Sequence, residues 1–189
     1  DAYAKLVRGE PVETLPPPIS YLDYAAHQRR YLVDEVLRPQ LEHFREALFG
    51  LPPLLELPTD RPRPPRTRSE GDLVIVPLPE ATLAVVDALA RRHGLTPFMV
   101  LLAAFDVMLG RYAGTTDVAV GTPVANRRDR ESETLVGTLV NTLVLRTDLS
   151  GGPTFLEVLG RVRETCLGAY ANQDVPFERL VAELATSHA

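Results

Sequence analysis

The chain of 189 residues contains no tryptophan, one cysteine and four histidines. A single cysteine excludes an intramolecular disulfide, and the histidines have no spacing typical of a metal site, so no bound metal is expected. The net charge of −5 argues against the basic face that nucleic acid requires. No apolar run approaches the roughly 20 residues that span a bilayer, and no apolar signal core opens the chain. These absences favour a cytoplasmic protein that binds neither nucleic acid nor membrane.

Proline divides the chain into three parts. Residues 51–68 are too rich in proline for a regular helix or a central strand, so an extended connector is expected over 51–71. Residues 1–50 form a mainly helical opening segment, and residues 72–189 form an α/β lobe. With 45% hydrophobic residues, the chain is able to bury one core, since domains commonly run to about 100–200 residues. One domain over 1–189 is therefore expected.

Apolar spacing predicts the main helices and strands. Helical spacing is found over 21–49, 81–92, 97–112 and 154–171. Strand patterns are found over 72–78, 117–121 and 139–146. Pro39 is expected to kink or divide the helix over 21–49. Thr154 and Glu157 form a capping box at the start of the helix over 154–171. This order suits an α/β lobe with helices over a mixed sheet.

One string near the C-terminus reads as a loop that enters a helix. It runs Asn172, Gln173, Asp174, Val175, Pro176, Phe177 and Glu178. Asp174 is expected to accept hydrogen bonds from the free amides of the next turn, and Pro176 needs no amide donor at the first helical position. Glu178 suits the positive end of the helix dipole. Anchoring this helix is the plain interpretation, but the whole string resembles the last core motif of nonribosomal peptide synthetase condensation domains.

Two further segments resemble the same family in the same order. The first runs Tyr21, Leu22, Asp23, Tyr24, Ala25, Ala26, His27 and Gln28, and is similar to the family's Tyr-x-Asp-Tyr-Ala-x-Trp-Gln motif. His27 replaces the usual Trp. The second includes Gly137, Asn141 and the trailing Arg146, and is similar to the family's Gly-x-x-Val-Asn-Thr segment. Segments 57–64 and 120–127 also resemble the family, so the likeness covers nearly the whole chain.

The resemblance implies an α/β lobe of the chloramphenicol acetyltransferase-like fold, with a mixed sheet and flanking helices. Condensation domains carry a His-His-x-x-x-Asp-Gly motif whose second His is catalytic, and no two histidines are adjacent here. That motif belongs to the family's N-terminal lobe. The chain is therefore expected to be most of a C-terminal lobe, incomplete at both ends and inactive alone.

The family's activity sets the expected function. In the intact enzyme this lobe would line a tunnel where a carrier-bound donor thioester is joined to a carrier-bound aminoacyl amine. No directly bound cofactor is expected, because the substrates ride on phosphopantetheine arms. The expected partners are the N-terminal lobe, the upstream and downstream carrier proteins and an adjacent adenylation domain. The alternatives are a non-catalytic interaction platform for neighbouring synthetase domains and a stand-alone acyltransferase that acts on soluble acceptors.

Asn141 and Arg127 are the candidates for the tunnel wall. The Asn141 amide is able to donate to an oxyanion or carbonyl and to accept from an amine, but the same side chain could simply satisfy the end of a strand. Arg127 matches a family Arg that could orient the acceptor or pair with a carboxylate across the lobe junction. The alternative for Arg127 is an ordinary solvated charged loop.

The other motif residues are assigned to the lobe junction, with ordinary packing as the alternative. They are Tyr21, Asp23, Tyr24, His27, Gln28, Gly137, Arg146 and the string 172–178. Catalysis by His27 is not expected, since a lone His on a helix is usually structural or exposed. The arginines at 61, 63, 66 and 68 favour a solvated linker over a contact with a carrier's arm or acidic helix. Cys166 is expected to be a small core residue, because nothing nearby suggests an activating base.

Overall fold

The computed structural model describes residues 2–11, 19–61 and 71–186. In chain order the elements are α1 Ala2–Val7, α2 Tyr21–Tyr31, α3 Asp34–Ala47, α4 Glu80–His93, α5 Pro97–Ala113, β1 Asp117–Val124, α6 Arg130–Glu133, β2 Asn141–Asp148, α7 Phe155–Ala171 and α8 Phe177–Thr186. The order confirms the predicted sequence of long helices and the two later strands. The short helices α1 and α6 were not predicted.

The first predicted helix is divided, but not at the expected place. The break lies at Leu32 and Val33, and Val33 is the N-cap of α3. Pro39 lies inside α3. The acidic residues Asp34 and Glu35 occupy the first turn of α3, where they interact favourably with the helix dipole, so a new helix start is favoured there. The division at Pro39 is therefore wrong, although two helices are present.

The predicted helix ends are largely confirmed. The Thr96 hydroxyl accepts from the Met99 amide at the start of α5, and Thr154 and Glu157 form the predicted capping box of α7. Gly94 ends α4 with a φ of 64°, in the left-handed region that favours glycine. The described part of the connector, residues 51–61, has neither helix nor strand. Residues 62–70 of the connector lie outside the described residues.

The sheet of the described residues has two antiparallel strands. β1 pairs with β2 in a register that runs from Asp117 opposite Asp148 to Val124 opposite Asn141. The predicted mixed sheet and the predicted strand over 72–78 are wrong for this part of the chain. The segment 72–78 has no strand partner there, and Leu73 to Val76 are each at least 74% exposed. An apolar pattern indicates a need for burial, whereas a strand also requires a neighbour to pair with.

The core lies between the sheet and two long helices. The buried sheet residues Val118, Leu143, Leu145 and Thr147 alternate with less buried ones, as expected for a sheet covered on one face. α5 packs against β1, α7 packs against β2, and the two helices contact each other. The Thr147 hydroxyl donates to the Asp106 carboxylate of α5 at 2.6 Å. This layered core places the ends of β1 and β2 beside α2 and the start of α8.

Candidate functional site

A polar groove separates α2 from the loop after β1 and from the start of α8. It consists of two adjoining cavities of about 200 and 210 Å³. Both cavities are lined by Tyr24, Gln28, Asn126 and Asp174. The first cavity also contacts Tyr21, Thr138, Asn141, Pro176 and Glu178, whereas the second also contacts His27, Tyr31 and Arg128. We call this feature the α2 groove, and residues from all three sequence motifs line it.

The Asn141 side chain joins β2 to the loop that leads into α8. Its amide nitrogen donates to the carbonyls of Gln173 and Val175 at 2.9 and 2.7 Å. Its amide oxygen accepts from the backbone amides of Thr142 and Phe177 at 2.9 and 3.2 Å. An Asn side chain offers two donors and two acceptor positions, so all four are used within the protein. The side chain therefore fixes the groove wall, and direct contact with substrate stays a prediction.

The start of α8 is capped differently from the sequence prediction. The Phe177 amide donates to Asn141, whereas the Asp174 carboxylate binds side chains from elsewhere in the fold. The prediction that Asp174 caps this helix is therefore wrong. Pro176 immediately precedes the helix, and Glu178 lies in its first turn as expected. Asn141, which lies 36 residues before Phe177 in the chain, therefore caps α8 in place of Asp174.

Asp174 is held at the groove by two partners. Gln40 of α3 donates to its carboxylate at 3.1 Å and accepts from its backbone amide at 3.1 Å. Arg128 donates to the other carboxylate oxygen at 2.5 Å. This bond raises the pKa of the Arg128 guanidinium, because the charged form is the one that Asp174 binds. The pair neutralises the acidic charge that Asp174 brings to the groove.

Arg127 organises the loop between the two strands. Its guanidinium donates to the backbone carbonyls of Ser132, Leu135 and Gly137, the last two at 2.9 and 3.3 Å. The side chain is half-buried, so it differs from the freely solvated arginine considered from the sequence. A guanidinium with several donors in one plane suits this task. Orientation of an acceptor by Arg127 stays a prediction.

Tyr21 and Gly137 bring α2 against the same loop. The Tyr21 hydroxyl donates to the Thr138 carbonyl at 3.0 Å. A Cβ atom at Gly137 would lie 2.3 Å from Cδ2 of the Tyr21 ring, which is far closer than real contacts allow. Gly137 is thus required here because an aromatic ring lies directly on the backbone.

The remaining residues of α2 have distinct surroundings. Asp23 forms a capping box with Ser20, and the hydrogen bonds from Ser20 lower the pKa of the Asp23 carboxyl. Burial, followed by the nearby Asp129, raises the pKa of the half-buried Tyr24. His27 is exposed and stacks on Tyr31, with ring centroids 6.2 Å apart. His27 therefore packs against a ring at the edge of the groove.

Arg146, Asn172 and Gln173 are motif residues that lie away from the α2 groove. Arg146 donates to both carboxylate oxygens of Asp117 and to the carbonyls of Ala47 and Phe49. Asn172 and Gln173 donate to carbonyls in the last turn of α7, at 2.8 Å each. These residues hold the elements around the groove in place.

Sequence reasoning missed two residues that line the groove, Asn126 and Arg128, and one residue, Gln40, that binds Asp174 from behind it. Gln40 interrupts the apolar stripe of α3, and a polar residue at a buried helical position was a signal that it had a partner. Asn126 has a φ of 53°, a conformation that Asn adopts more readily than most residues. Arg128 gave no signal that distinguished it from Arg127 and Arg130, because its partner Asp174 is 46 residues away.

Residues from all three sequence motifs meet at one groove, as they would in a single family of proteins. The family model of the condensation domain matches residues 1–189. The chain belongs to the condensation domain family. The resemblance seen in the motifs is confirmed, and so is the expected fold class, because the solved neighbours are condensation domains of the chloramphenicol acetyltransferase-like fold.

Several relatives show the extent of the match. Malpinin synthetase of Mortierella alpina is 46% identical over 179 residues, which are 95% of this chain and 2% of that protein. Isonitrile lipopeptide synthase of Mycobacterium tuberculosis is 44% identical over 193 residues, covering 100% of this chain and 8% of that protein. The solved complex of the X-domain and OxyB from teicoplanin biosynthesis is similar with a TM-score of 0.84 and 31% identity, over 97% of this chain and 41% of that chain.

No single helix in the described ranges is long and apolar enough to cross a membrane, and only α4 with α5, bent by 108° at their junction, meets the length and composition together. Among the described residues no group of three or more His, Cys, Asp or Glu is placed to hold a metal ion.

Proposed function

We propose that this chain is the C-terminal lobe of a condensation domain and forms one wall of the tunnel in which an amide bond is made. The donor is a carrier-bound acyl or peptidyl thioester, and the acceptor is a carrier-bound aminoacyl amine. One observation carries the proposal. Tyr24, Asn141 and Glu178 come from three motifs spread over the chain, yet they line one polar groove.

The groove suits the positioning of an acceptor. Among the described residues, the Tyr24 hydroxyl and the Glu178 carboxylate have no hydrogen-bond partner, whereas the polar atoms of Asn141 are all engaged. An amine that attacks a thioester must be held against the carbonyl and must lose a proton, while the carrier's thiol leaves. Tyr24 and Glu178 are the groups free to bind the amine, and Asn141 keeps the wall in place.

The proposal assigns the remaining components to other polypeptide segments. The N-terminal lobe supplies the His-His-x-x-x-Asp-Gly motif, and upstream and downstream carrier proteins deliver the substrates on phosphopantetheine arms. An adenylation domain loads the acceptor carrier. The assembly is cytoplasmic. This chain alone is inactive, because its histidines are not adjacent and His27 stacks on Tyr31 at the groove edge.

A complementation assay tests this function. The chain is mixed with, or fused to, the N-terminal lobe of the condensation domain that it matches in malpinin synthetase, together with loaded donor and acceptor carriers. Mass spectrometry of the carriers then detects the condensed product. Product is expected only when both lobes are present, and Ala in place of the second motif His should abolish it. Product from the chain alone would overturn the proposal.

A matched pair of variants tests the groove itself. Glu178→Gln should lower the condensation rate by roughly tenfold, since it removes the charge that attracts the amine. Glu131→Gln changes an exposed carboxylate of α6 and should leave the rate unchanged. Equal rates for both variants would show that the groove does not receive the acceptor.

A non-catalytic interaction platform is the second candidate function. The observation that favours it is the 31% identical X-domain, which was solved in complex with OxyB. Under this hypothesis the lobe binds a partner protein and contributes nothing to amide formation. Binding of neighbouring synthetase domains in sedimentation experiments, with no product from the two-lobe assay, is the result that this candidate predicts.

A further inference from the structure

Two amide side chains in the α2 groove are not used by the protein itself. The chain has six Asn and Gln residues. Those whose amide nitrogen donates to another group of the protein are Gln40, Asn141, Asn172 and Gln173. The side chains of Gln28 and Asn126 have no hydrogen-bond partner in residues 2–11, 19–61 and 71–186, although both residues are half-buried. Both of them line both cavities of the groove.

Gln28 lies on the face of α2 that forms one wall of the groove. The residues of α2 that line the first cavity are Tyr21, Tyr24, Ala25 and Gln28. They are three, four and seven positions apart, so they lie on one face of the helix. The Tyr21 hydroxyl binds the Thr138 carbonyl and anchors this face. Gln28 therefore has a defined place, and the small Ala25 side chain leaves room beside it.

Asn126 lies in the opposite wall, in a backbone conformation that few residues adopt. Its φ of 53° is the one value in the left-handed region among the non-glycine residues of the described ranges. The next two side chains hold this conformation, because Arg127 donates to three backbone carbonyls and Arg128 donates to Asp174. Unfavourable conformations that neighbours hold in place are concentrated at ligand sites. The position of Asn126 is thus set before a ligand binds.

The surroundings of Gln28 and Asn126 favour a neutral polar ligand. Asp174 is the one carboxylate that lines both cavities, and Arg128 neutralises it. A primary amide has both donors and an acceptor, so two of them are able to bind the N–H and the C=O of one secondary amide. An ester has the same shape but lacks the N–H. A secondary amide is therefore the group that this pair of side chains binds best.

We propose that Gln28 and Asn126 form an amide clamp, which binds a secondary amide of the substrate in the α2 groove and so positions that substrate. The inference rests on the proposed function, because it takes the groove to receive the substrates of amide formation. Such an amide has two sources, the pantetheine arm of the acceptor and the peptide backbone of a peptidyl donor. The clamp binds the same group in either case, and the substrates used in the test distinguish the two.

Paired substrates that differ at one atom test the clamp in the two-lobe assembly. One acceptor is an aminoacyl thioester of N-acetylcysteamine, and the other is the thioester of 2-mercaptoethyl acetate, where oxygen replaces the amide N–H. The donor pair is a carrier-bound dipeptide and its ester analogue. For the substrate whose amide is bound, kcat/KM should be roughly tenfold higher with the amide than with the ester, as expected for one hydrogen bond. The sensitive pair identifies the source.

Two variants link this preference to the clamp. Asn126→Gly removes the amide and suits the positive φ, whereas Gln28→Met removes the amide with little change in size or helix propensity. In each variant kcat/KM with the amide substrate should fall to that with the ester. Both should unfold at the same urea concentration as the wild type, which a merely structural role would not allow. Glu131→Gln, on an exposed site of α6, should retain the full preference.

Nuclear magnetic resonance of the 189-residue chain gives a readout that needs no catalysis. The probe is pantetheine, which contains two secondary amides. Its addition should shift the side-chain NH₂ signals of Gln28 and Asn126. The NH₂ signals of Asn141 and Asn172 should stay in place, because both groups are bound within the protein. The absence of a shift at Gln28 and Asn126 would overturn the clamp.

The outcomes separate the clamp from the proposed function. If the assembly makes product and both substrate pairs react at equal rates, the clamp fails and the proposed function stands. Selective shifts at Gln28 and Asn126, with no product from the two lobes, would support the clamp and count against the function. A preference for the amide that survives in both Asn126→Gly and Gln28→Met would show that other residues recognise it, which would also overturn the clamp.

Discussion

Asp106 should make the stability of this lobe depend on pH in an unusual direction. The carboxylate is fully buried on α5, where one oxygen accepts from Thr147 and the other has no partner among the described residues. Burial raises the pKa of Asp106 from 3.8 to about 6, and the Thr147 bond opposes the rise only in part. Ionisation is therefore easier in the unfolded chain than in the folded one.

The sign and size of the effect follow from linkage. A raised pKa in the folded state means that the contribution of Asp106 to stability is complete below pH 3.8 and is lost as the pH rises through about 6. At about 1.4 kcal/mol per pKa unit, the loss above pH 6 is about 3 kcal/mol. Asp106→Asn removes the ionisation, so it should stabilise the protein at pH 8 by about 2 to 3 kcal/mol more than at pH 4.

Urea unfolding of both proteins from pH 4 to pH 8 measures this difference. Other carboxylates titrate in the same range, but they are common to both proteins and cancel in the comparison. Thr147→Val should act in the opposite direction, since it removes the hydrogen bond that stabilises the charged form. A stability difference between wild type and Asp106→Asn that does not change with pH would refute the reasoning.

Three further predictions concern the groove and the core. Asn141→Leu should cost about 3 kcal/mol in urea unfolding, because two carbonyls and one amide of the α8 loop lose their partners at about 1 kcal/mol each; a loss below about 1 kcal/mol would contradict this. Gly137→Ala should lower the free energy of unfolding, because the added methyl group clashes with the Tyr21 ring. In a double-mutant cycle Tyr21→Ala should reverse most of this loss of stability, whereas additive losses would exclude the clash. The Cys166 thiol, whose pKa burial raises to about 11, should resist iodoacetamide at pH 8 until urea unfolds the protein, and rapid labelling of the folded chain would show that it is accessible.

Local signals account for the elements that were predicted correctly. The capping residues of α5 and α7 act within three residues of the helix start, so the sequence around Thr96 and Thr154 is sufficient to place them. The break before α3 was less visible. Pro39 is a strong local signal, but the acidic first turn after Val33 decided where the new helix begins.

The segment 72–78 shows the limit of local patterns. Its apolar residues favour burial, but the strand prediction is wrong for the described residues, because pairing depends on another strand that the sequence of 72–78 does not specify. The cap of α8 shows the same limit at the groove. Asp174 has the right chemistry and position for a cap, yet Asn141 supplies it because the start of β2 lies beside Phe177. Motif resemblance located the groove residues, whereas their hydrogen-bond partners required the fold.

Arg127 and Arg146 both donate mainly to backbone carbonyls, and this matters for recombination between synthetases. Arg127 holds three backbone carbonyls, and Arg146 holds those of Ala47 and Phe49. Every residue has a carbonyl, so these bonds survive any change of sequence that preserves the backbone path. The one side-chain partner in the set is Asp117, which Arg146 binds with two hydrogen bonds. A crossover point between α3 and β1 thus leaves Arg146 and Asp117 from the same parent, whereas one between β1 and β2 takes them from different parents.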